Sequence, residues 1–427
     1  MFDTRLWACR GFLFSLTVLT VLAACGGSDT TSGDDQSNAA PGDQGLGSKK
    51  SDETIIREIT TYAGTGSPKF GGDGGPATEA GFYQPTAVTL DDSGNVYVAT
   101  DMRVRKIDAA TGIITTIVGT GSNRSTGDGA LATEATLAEP VSLALDSAGN
   151  IFIAESGSGR IRRVDAISGI ITTVAGGGIG DPLNRIFGDG APATEALIKL
   201  PTAVAVDGAG NLYIATDNRV RKVDVVTGVI TTFAGIGERA VEGDGGLATN
   251  AGLAEPVGLA LDSQGNLFIA DRDNHRVRKV DASTHMISTV VGQGKFAARL
   301  GNIYSLGNTT DRPLNRESAQ GAGYSGDDGP AIEARLSVPS SIAFGPEGDL
   351  FIADGGVHVR RVDSSSGVIT TVASSETVSS TETGKVQIYT TVIGRIVSIV
   401  VNDLNEIFLA DFKKSVVHKV SKSTSSP

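Results

Sequence analysis

The chain has 427 residues, a formal charge of −12 and only two cysteines. The acidic balance argues against nucleic acid or an anionic lipid surface as the main partner. Two cysteines rule out a disulfide framework.

Arg5 and Arg10 precede an apolar run from Gly11 to Ala24, the layout of a secretory signal and too short to span a bilayer comfortably. The run ends in Leu22-Ala23-Ala24-Cys25, followed by Gly26-Gly27-Ser28. That tetrapeptide resembles the lipobox of bacterial lipoproteins. The resemblance implies removal of residues 1–24, acylation of Cys25 and, with Gly26 next, sorting to the outer membrane. Cys9 would leave with the signal, so Cys25 would stand alone and several acyl chains on it would anchor the protein stably. The mature balance is then 34 basic against 47 acidic residues, or −13. Residues 25–53 are almost all small and polar, with too little apolar surface to fold. They read as a tether with a reach of roughly 30 Å.

From residue 54 to 427 one pattern recurs six times. Aligned on the residue leading into the first strand, the copies fall at Pro85, Pro140, Pro201, Pro256, Pro339 and Ile396. The third copy shows four β-type runs, Thr202–Val206, Asn211–Ala215, Arg219–Val223 and Val229–Phe233, separated by Asp/Gly turn signals. Repeats of this length built from short strands predict radial repetition of a sheet. The copies resemble the NHL repeat through Pro256-Val257-Gly258-Leu259-Ala260-Leu261-Asp262, Gly265-Asn266-Leu267-Phe268-Ile269-Ala270-Asp271 and Arg276-Val277-Arg278-Lys279-Val280. This resemblance implies an all-β, six-bladed β-propeller with four-stranded antiparallel blades. The sixth copy stops after its third strand at Val417–Val420, while Thr54–Gly64 matches the fourth strand of other copies. The N-terminal strand 54–64 should therefore complete the last blade and close the ring. A second period groups copies one and three against two and four, as if the ring grew by duplication of a two-blade unit.

Two recurring motifs read as construction. Asp-Gly before each blade (Asp73, Asp128, Asp189, Asp244, Asp327) lacks the alternating oxygen ligands of a calcium loop and the Lys-Ser/Thr of a P-loop. It predicts a sharp turn in which Asp bonds its own backbone. Arg-x-Arg in the third strand should face a neighbouring blade and form inter-blade ion pairs with acids at the end of strand two: Asp101, Glu155, Asp217 and Asp271.

Function is expected where the repetition breaks. Insertions at 181–187 and 295–322 leave on the face where strand four ends, and Pro-Leu-Asn-Arg occurs in both. The expected partner is a protein or glycan, contacted by Arg185, Arg299, Tyr304, Arg312 and Arg316 on a monomeric ring. Propellers resembling lactonases hold an axial calcium with Glu, Asn and Asp, and Glu155 and Asp354 sit at comparable strand ends. However, the channel positions Ala87, Ser142, Ala203, Gly258, Ser341 and Ser398 are apolar or small. Amidating lyases of the NHL type use histidines around zinc, yet His275, His285, His358 and His418 are not spaced as a ring. No catalytic residue, metal ligand or cofactor is expected; a metal-dependent propeller hydrolase or lyase with a site on the axis is the alternative.

Overall fold

The computed structural model describes residues 57–178, 188–294, 323–375 and 393–422. The predicted signal and tether, with Cys25, lie outside them. Six antiparallel sheets stand around an axis, each with four principal strands in simple meander order. Blade three runs Ala203–Val206, Leu212–Thr216, Arg219–Val223 and Ile230–Ala234, within a residue or two of expectation.

Strand two is buried along its whole length in five of the six blades, because each blade is packed on both faces. This explains runs such as Val96-Tyr97-Val98-Ala99, in which apolar residues do not alternate with polar ones. The core is correspondingly divided. Six apolar clusters each join strands of two neighbouring blades, and one of them packs Ile59 with Ile399, Ile407 and Phe351.

Closure is as predicted. Blade six consists of Ile396–Val401, Ile407–Asp411, Val416–Lys422 and, as its outer strand, Arg57–Ala63. The pairing runs from Arg57↔Lys422 through Ile59↔Val420 to Thr61↔His418. The first strand of the ring thus meets the last, and no sheet edge is left between the ends.

The two-blade period is also built into the backbone. In blades two, four and six the first strand is bulged against the second, at Pro140/Ser142, Pro256/Gly258 and Ile396/Ser398. In blades one, three and five the same pairing is regular. Hydroxyl staples follow this alternation. Thr86 and Thr202 donate to Pro140 O and Pro256 O at 2.6 Å, across the one–two and three–four interfaces. At the six–one and two–three interfaces, Ser398 and Ser142 Oγ accept instead, from Val88 and Val204 N–H at 3.1 Å.

The Asp-Gly segments differ from expectation. Each runs along the outer edge of strand four of the blade it precedes: Gly74 N–H donates to Ile114 O at 2.8 Å and Ile114 N–H to Gly75 O at 3.0 Å. The aspartate does not close its own turn. It reaches the second arginine of Arg-x-Arg, as in Arg105–Asp73, Arg162–Asp128, Arg221–Asp189, Arg278–Asp244 and Arg360–Asp327 at 2.5–2.7 Å. Arg105 also donates to Gly71 O and Gly81 O, so one buried guanidinium gathers the whole crossing segment against its blade. A buried cation is tolerable only with such complete pairing.

Candidate functional site

Strands two and four end on one face of the ring, and the tight turns between strands one–two and three–four occupy the other. Arg185, Arg299, Tyr304, Arg312 and Arg316 lie outside the described residues, as do both insertions. Their points of departure are described. Residues 179–187 leave after Ile171–Gly176, residues 295–322 after Ile287–Val291, and a third segment, 376–392, after Val368–Ser374. All three depart from the strand-four face, and two of them bracket blade five.

The corner between those two segments departs from the repeat. In blade four, Asp271 ends strand two fully buried and accepts three hydrogen bonds: Ala254 N–H at 2.8 Å, Asn274 Nδ2 at 2.8 Å and Arg276 Nε at 3.0 Å. In blade five the equivalent acid is Asp354, and His358 stands where the arginine would be, paired with it across the strands. Asp354 accepts Ser337 N–H at 2.5 Å, but its second oxygen lies 3.7 Å from Arg360 and has no hydrogen-bond partner. Burial pushes its carboxyl up to about 7. Blade two avoids this gap with a longer acid, since Glu155 reaches Arg162 at 3.2 Å.

His358 is instead part of a stack. The Tyr324 ring lies 4.0 Å from it at 13°, while Ser374 Oγ is 2.9 Å from His358 Nδ1. Tyr324 OH meets Asp327 at 2.7 Å and Thr371 at 2.5 Å, and the Arg360 guanidinium lies 4.7 Å from the Tyr324 ring centre. Tyr324 follows the 295–322 segment by one residue and Ser374 precedes the 376–392 segment by one. Both segments are therefore rooted in one rigid cluster. Serine, histidine and aspartate meet here, but Ser374 is fully buried and so is not a nucleophile open to substrate.

Nearer the axis, the residue before each lead-in proline takes a left-handed backbone: Gln84, Glu139, Leu200, Glu255 and Val338, with φ of 45–57°. Such conformations in non-glycine residues cost about 1–3 kcal/mol each and need support. The preceding blade supplies it where Asn218 Oδ1 accepts Glu255 N–H at 3.0 Å and His275 Nδ1 accepts Val338 N–H at 3.1 Å. Burial and Arg272 keep the His275 pKa low, so the ring stays neutral and able to accept. Glu255 is also bound by Arg272 at 2.7 Å.

Inside this rim, a channel of about 350 Å³ is lined by the first strands of all six blades, including Ser142, Ala203, Gly258, Ser341 and Ser398. None of its lining residues is acidic, basic or histidine. Glu155 and Asp354 are held within their own blades, away from the channel. The histidines are likewise dispersed, with His418 Nε2 3.2 Å from Asp411 and His285 beside Phe233. Among the described residues no three His, Cys, Asp or Glu side chains converge on a point. Also among these residues, no helix is long and apolar enough to cross a membrane.

The strand-two acids pair with Arg-x-Arg of their own blade, as Arg162 with Glu155 and Arg276 with Asp271, and not across blades as expected; two of the acids also change place. Strand two ends at Thr100 and Thr216 in blades one and three, and Asp101 and Asp217 belong to the following turn. They still meet Arg103 at 2.5 Å and Arg219 at 3.7 Å. The tight turns, in contrast, are ringed with carboxylates. Hydrogen bonds from the adjoining Thr or Ser hold Asp108, Asp165, Asp224, Asp281 and Asp363 well below the usual carboxylate range. The strand-four face carries ion pairs instead, with Arg103 on Asp101, Arg239 on Asp273 and Arg272 on Glu255.

Comparison with known proteins agrees with this architecture. The family model for the NHL repeat matches residues 253–280, and that for the teneurin NHL domain matches residues 63–126. The fourth copy of the propeller thus carries an NHL-type repeat. Human Teneurin-1 is 28% identical over 247 residues, covering 55% of this chain and 8% of that protein. The chain therefore spans a tenth or less of the length of the teneurins it matches. Bovine NHL repeat-containing protein 2 is 32% identical over 164 residues, 36% of this chain and 22% of that protein. Among solved structures, a Bacteroides thetaiotaomicron protein of unknown function aligns with a TM-score of 0.55 at 18% identity, covering 86% of this chain and 76% of that one. An auxiliary nutrient binding protein from the same organism aligns with a TM-score of 0.54 at 14% identity, over 85% and 76%. At such identities these two structures speak for the propeller fold alone.

Proposed function

We propose that this NHL propeller is a lipid-anchored module of the bacterial cell envelope that binds a protein or glycan through its strand-four face. Acylation of Cys25 and removal of residues 1–24 would attach it, most simply to the outer membrane, with residues 25–53 as tether. The contacts would come from 181–187 and 295–322, with Arg185, Arg299, Tyr304, Arg312 and Arg316 as anchors. One observation carries the reading: every segment that interrupts the repeat departs from the strand-four face, while the opposite face carries only tight turns. Loops on a rigid scaffold are the usual seat of recognition, and insertions bearing several arginines on an acidic protein favour an acidic partner patch or polymer. The likeness to a nutrient binding protein is compatible with such a role. An uncharged channel lining without imidazoles offers little to an axial metal, which weighs against the hydrolase or lyase alternative.

Deleting 295–322 tests the reading. Envelope proteins and glycans retained by the intact chain should be lost with the deletion while the melting curve stays cooperative. Retention of the same partners by a folded deletion variant would refute it. A large, ion-specific rise in melting temperature with Ca²⁺ or Zn²⁺ would favour the enzyme alternative instead.

A further inference from the structure

The tight-turn face is not uniform. Between strands three and four the turn reads Asp108-Ala109-Ala110-Thr111 in blade one, Asp281-Ala282-Ser283-Thr284 in blade four and Asp363-Ser364-Ser365-Ser366 in blade five. Blades two and three place Ile167 and Val226 at the third position, 98% and 89% exposed. The turn itself does not call for them. Asp165 accepts Ile167 and Ser168 N–H at 3.2 and 3.0 Å, and Asp224 accepts Val226 and Thr227 N–H at 3.2 and 2.8 Å. Asp281 does the same for Ser283 and Thr284 at 3.1 and 2.8 Å. Serine thus serves the backbone equally well. The aliphatic tips add nothing to the fold and leave apolar surface in water, which points to a use outside it.

Blade six has no such turn, because the ends of the ring stand in its place. Ile59 pairs with Val420 as Ile171 pairs with Val164 and Ile230 with Val223. Arg57 and Lys422, paired with each other, therefore occupy the level at which Ile167 and Val226 project from their own blades. The chain enters the propeller on the same face as the tips.

We propose that Ile167 and Val226 dip into the lipid surface to which the chain is anchored, so that the edge of the tight-turn face formed by blades two and three rests on the membrane while blade five is tilted away from it. The proposal rests on the lipid-anchor reading of Cys25. The tips suit a bilayer because they are single convex apices, which would need matching pockets on a protein partner but need none in lipid. Each aliphatic side chain carried out of water raises partitioning by roughly tenfold or more. The flanking Asp165 and Asp224 are ionised, and only Asp165 has an arginine partner, Arg163 at 3.0 Å. Zwitterionic headgroups are therefore preferred over anionic ones.

The test uses the full-length protein purified from the membranes of its host and reconstituted with phosphatidylcholine vesicles carrying a lipid-attached quencher. A fluorophore is placed on Ala166→Cys beside the tip, or on Ser364→Cys at the same turn position across the ring. The Ala166 probe should be quenched and the Ser364 probe should not. Ile167→Ser with Val226→Ser should abolish the quenching at Ala166, and both substitutions copy residues found in the other turns. A vesicle-bound protein whose Ala166 probe stays unquenched, or is quenched equally in the double variant, overturns the proposal but leaves the anchor standing. An Ala166 probe shielded from aqueous iodide yet untouched by the lipid quencher assigns the tips to a protein and also overturns it. Failure to sediment with vesicles, with Cys25 titrating as a free thiol, removes the anchor reading and the proposal together.

Discussion

Blades four and five fold the same corner from different residues. In blade four the buried Asp271 has both oxygens satisfied, by a backbone amide, an asparagine and an arginine. In blade five a histidine replaces the arginine, the aspartate is left half-satisfied, and the histidine turns to a tyrosine at the root of the longest insertion. The difference separates two kinds of buried charge. One belongs to the scaffold and is neutralised on the spot; the other is tolerated where the scaffold hands over to its variable loops.

The comparison can be broken most sharply by removing the scaffold arginines. Arg278→Leu should cost about 3 kcal/mol in denaturant unfolding, because it leaves the buried Gly252 O without its donor and takes the guanidinium from the half-exposed Asp244. Arg360→Leu should cost less at pH 6, where Asp354 is protonated and no second buried charge is stranded. Equal costs would erase the distinction. A smaller effect is expected at the acids themselves. Asp271→Ala leaves Ala254 N–H, Asn274 and Arg276 without their acceptor and should lose about 2–3 kcal/mol. Asp354→Asn should be nearly neutral at pH 6 and stabilising at pH 8.

The pH dependence follows from the same carboxyl. Its ordinary value is 3.8 and burial raises it to about 7, so between those values the folded chain holds a proton that the unfolded chain does not. Its stabilising contribution is complete below 3.8 and is lost as pH rises through 7. Melting temperature should fall from pH 6 to pH 8, and Asp354→Asn should flatten that slope; an unchanged slope would place the titration elsewhere. The smallest change is expected for His358→Arg. A guanidinium there, as at Arg276, should lower the Asp354 pKa and shrink the pH step without altering the fold, provided Tyr324 can yield its stacking position.

Much of the fold was legible in the sequence because each copy restates its strands and turns. Even ring closure could be read, since Thr60-Thr61-Tyr62-Ala63-Gly64 resembles Thr172-Thr173-Val174-Ala175-Gly176. The role of the Asp-Gly motif was missed. Its partner arginine lies 32–34 residues away, in a different strand, where local turn chemistry has no say. A signal did exist within the chain: the five copies with this aspartate also have the arginine, whereas copy six has His418 and no such aspartate. The blade-five corner was half visible, as His358 at an arginine position, but its stacking on Tyr324 depends on how the crossing segment returns. The predicted contacts at Arg185, Arg299, Tyr304, Arg312 and Arg316 sit in insertions that share only Pro-Leu-Asn-Arg, too short a repetition to fix their backbone.

Pairing Arg57 with Lys422 also sets an order of events during synthesis. The first strand made has no partner until the last has emerged, some 365 residues later. Closing so long a loop is a late and slow step. Until then blade six is three strands wide, with Val416–Lys422 as an open edge able to accept a strand from another molecule. The most aggregation-prone moment of such a chain falls just before the ring locks.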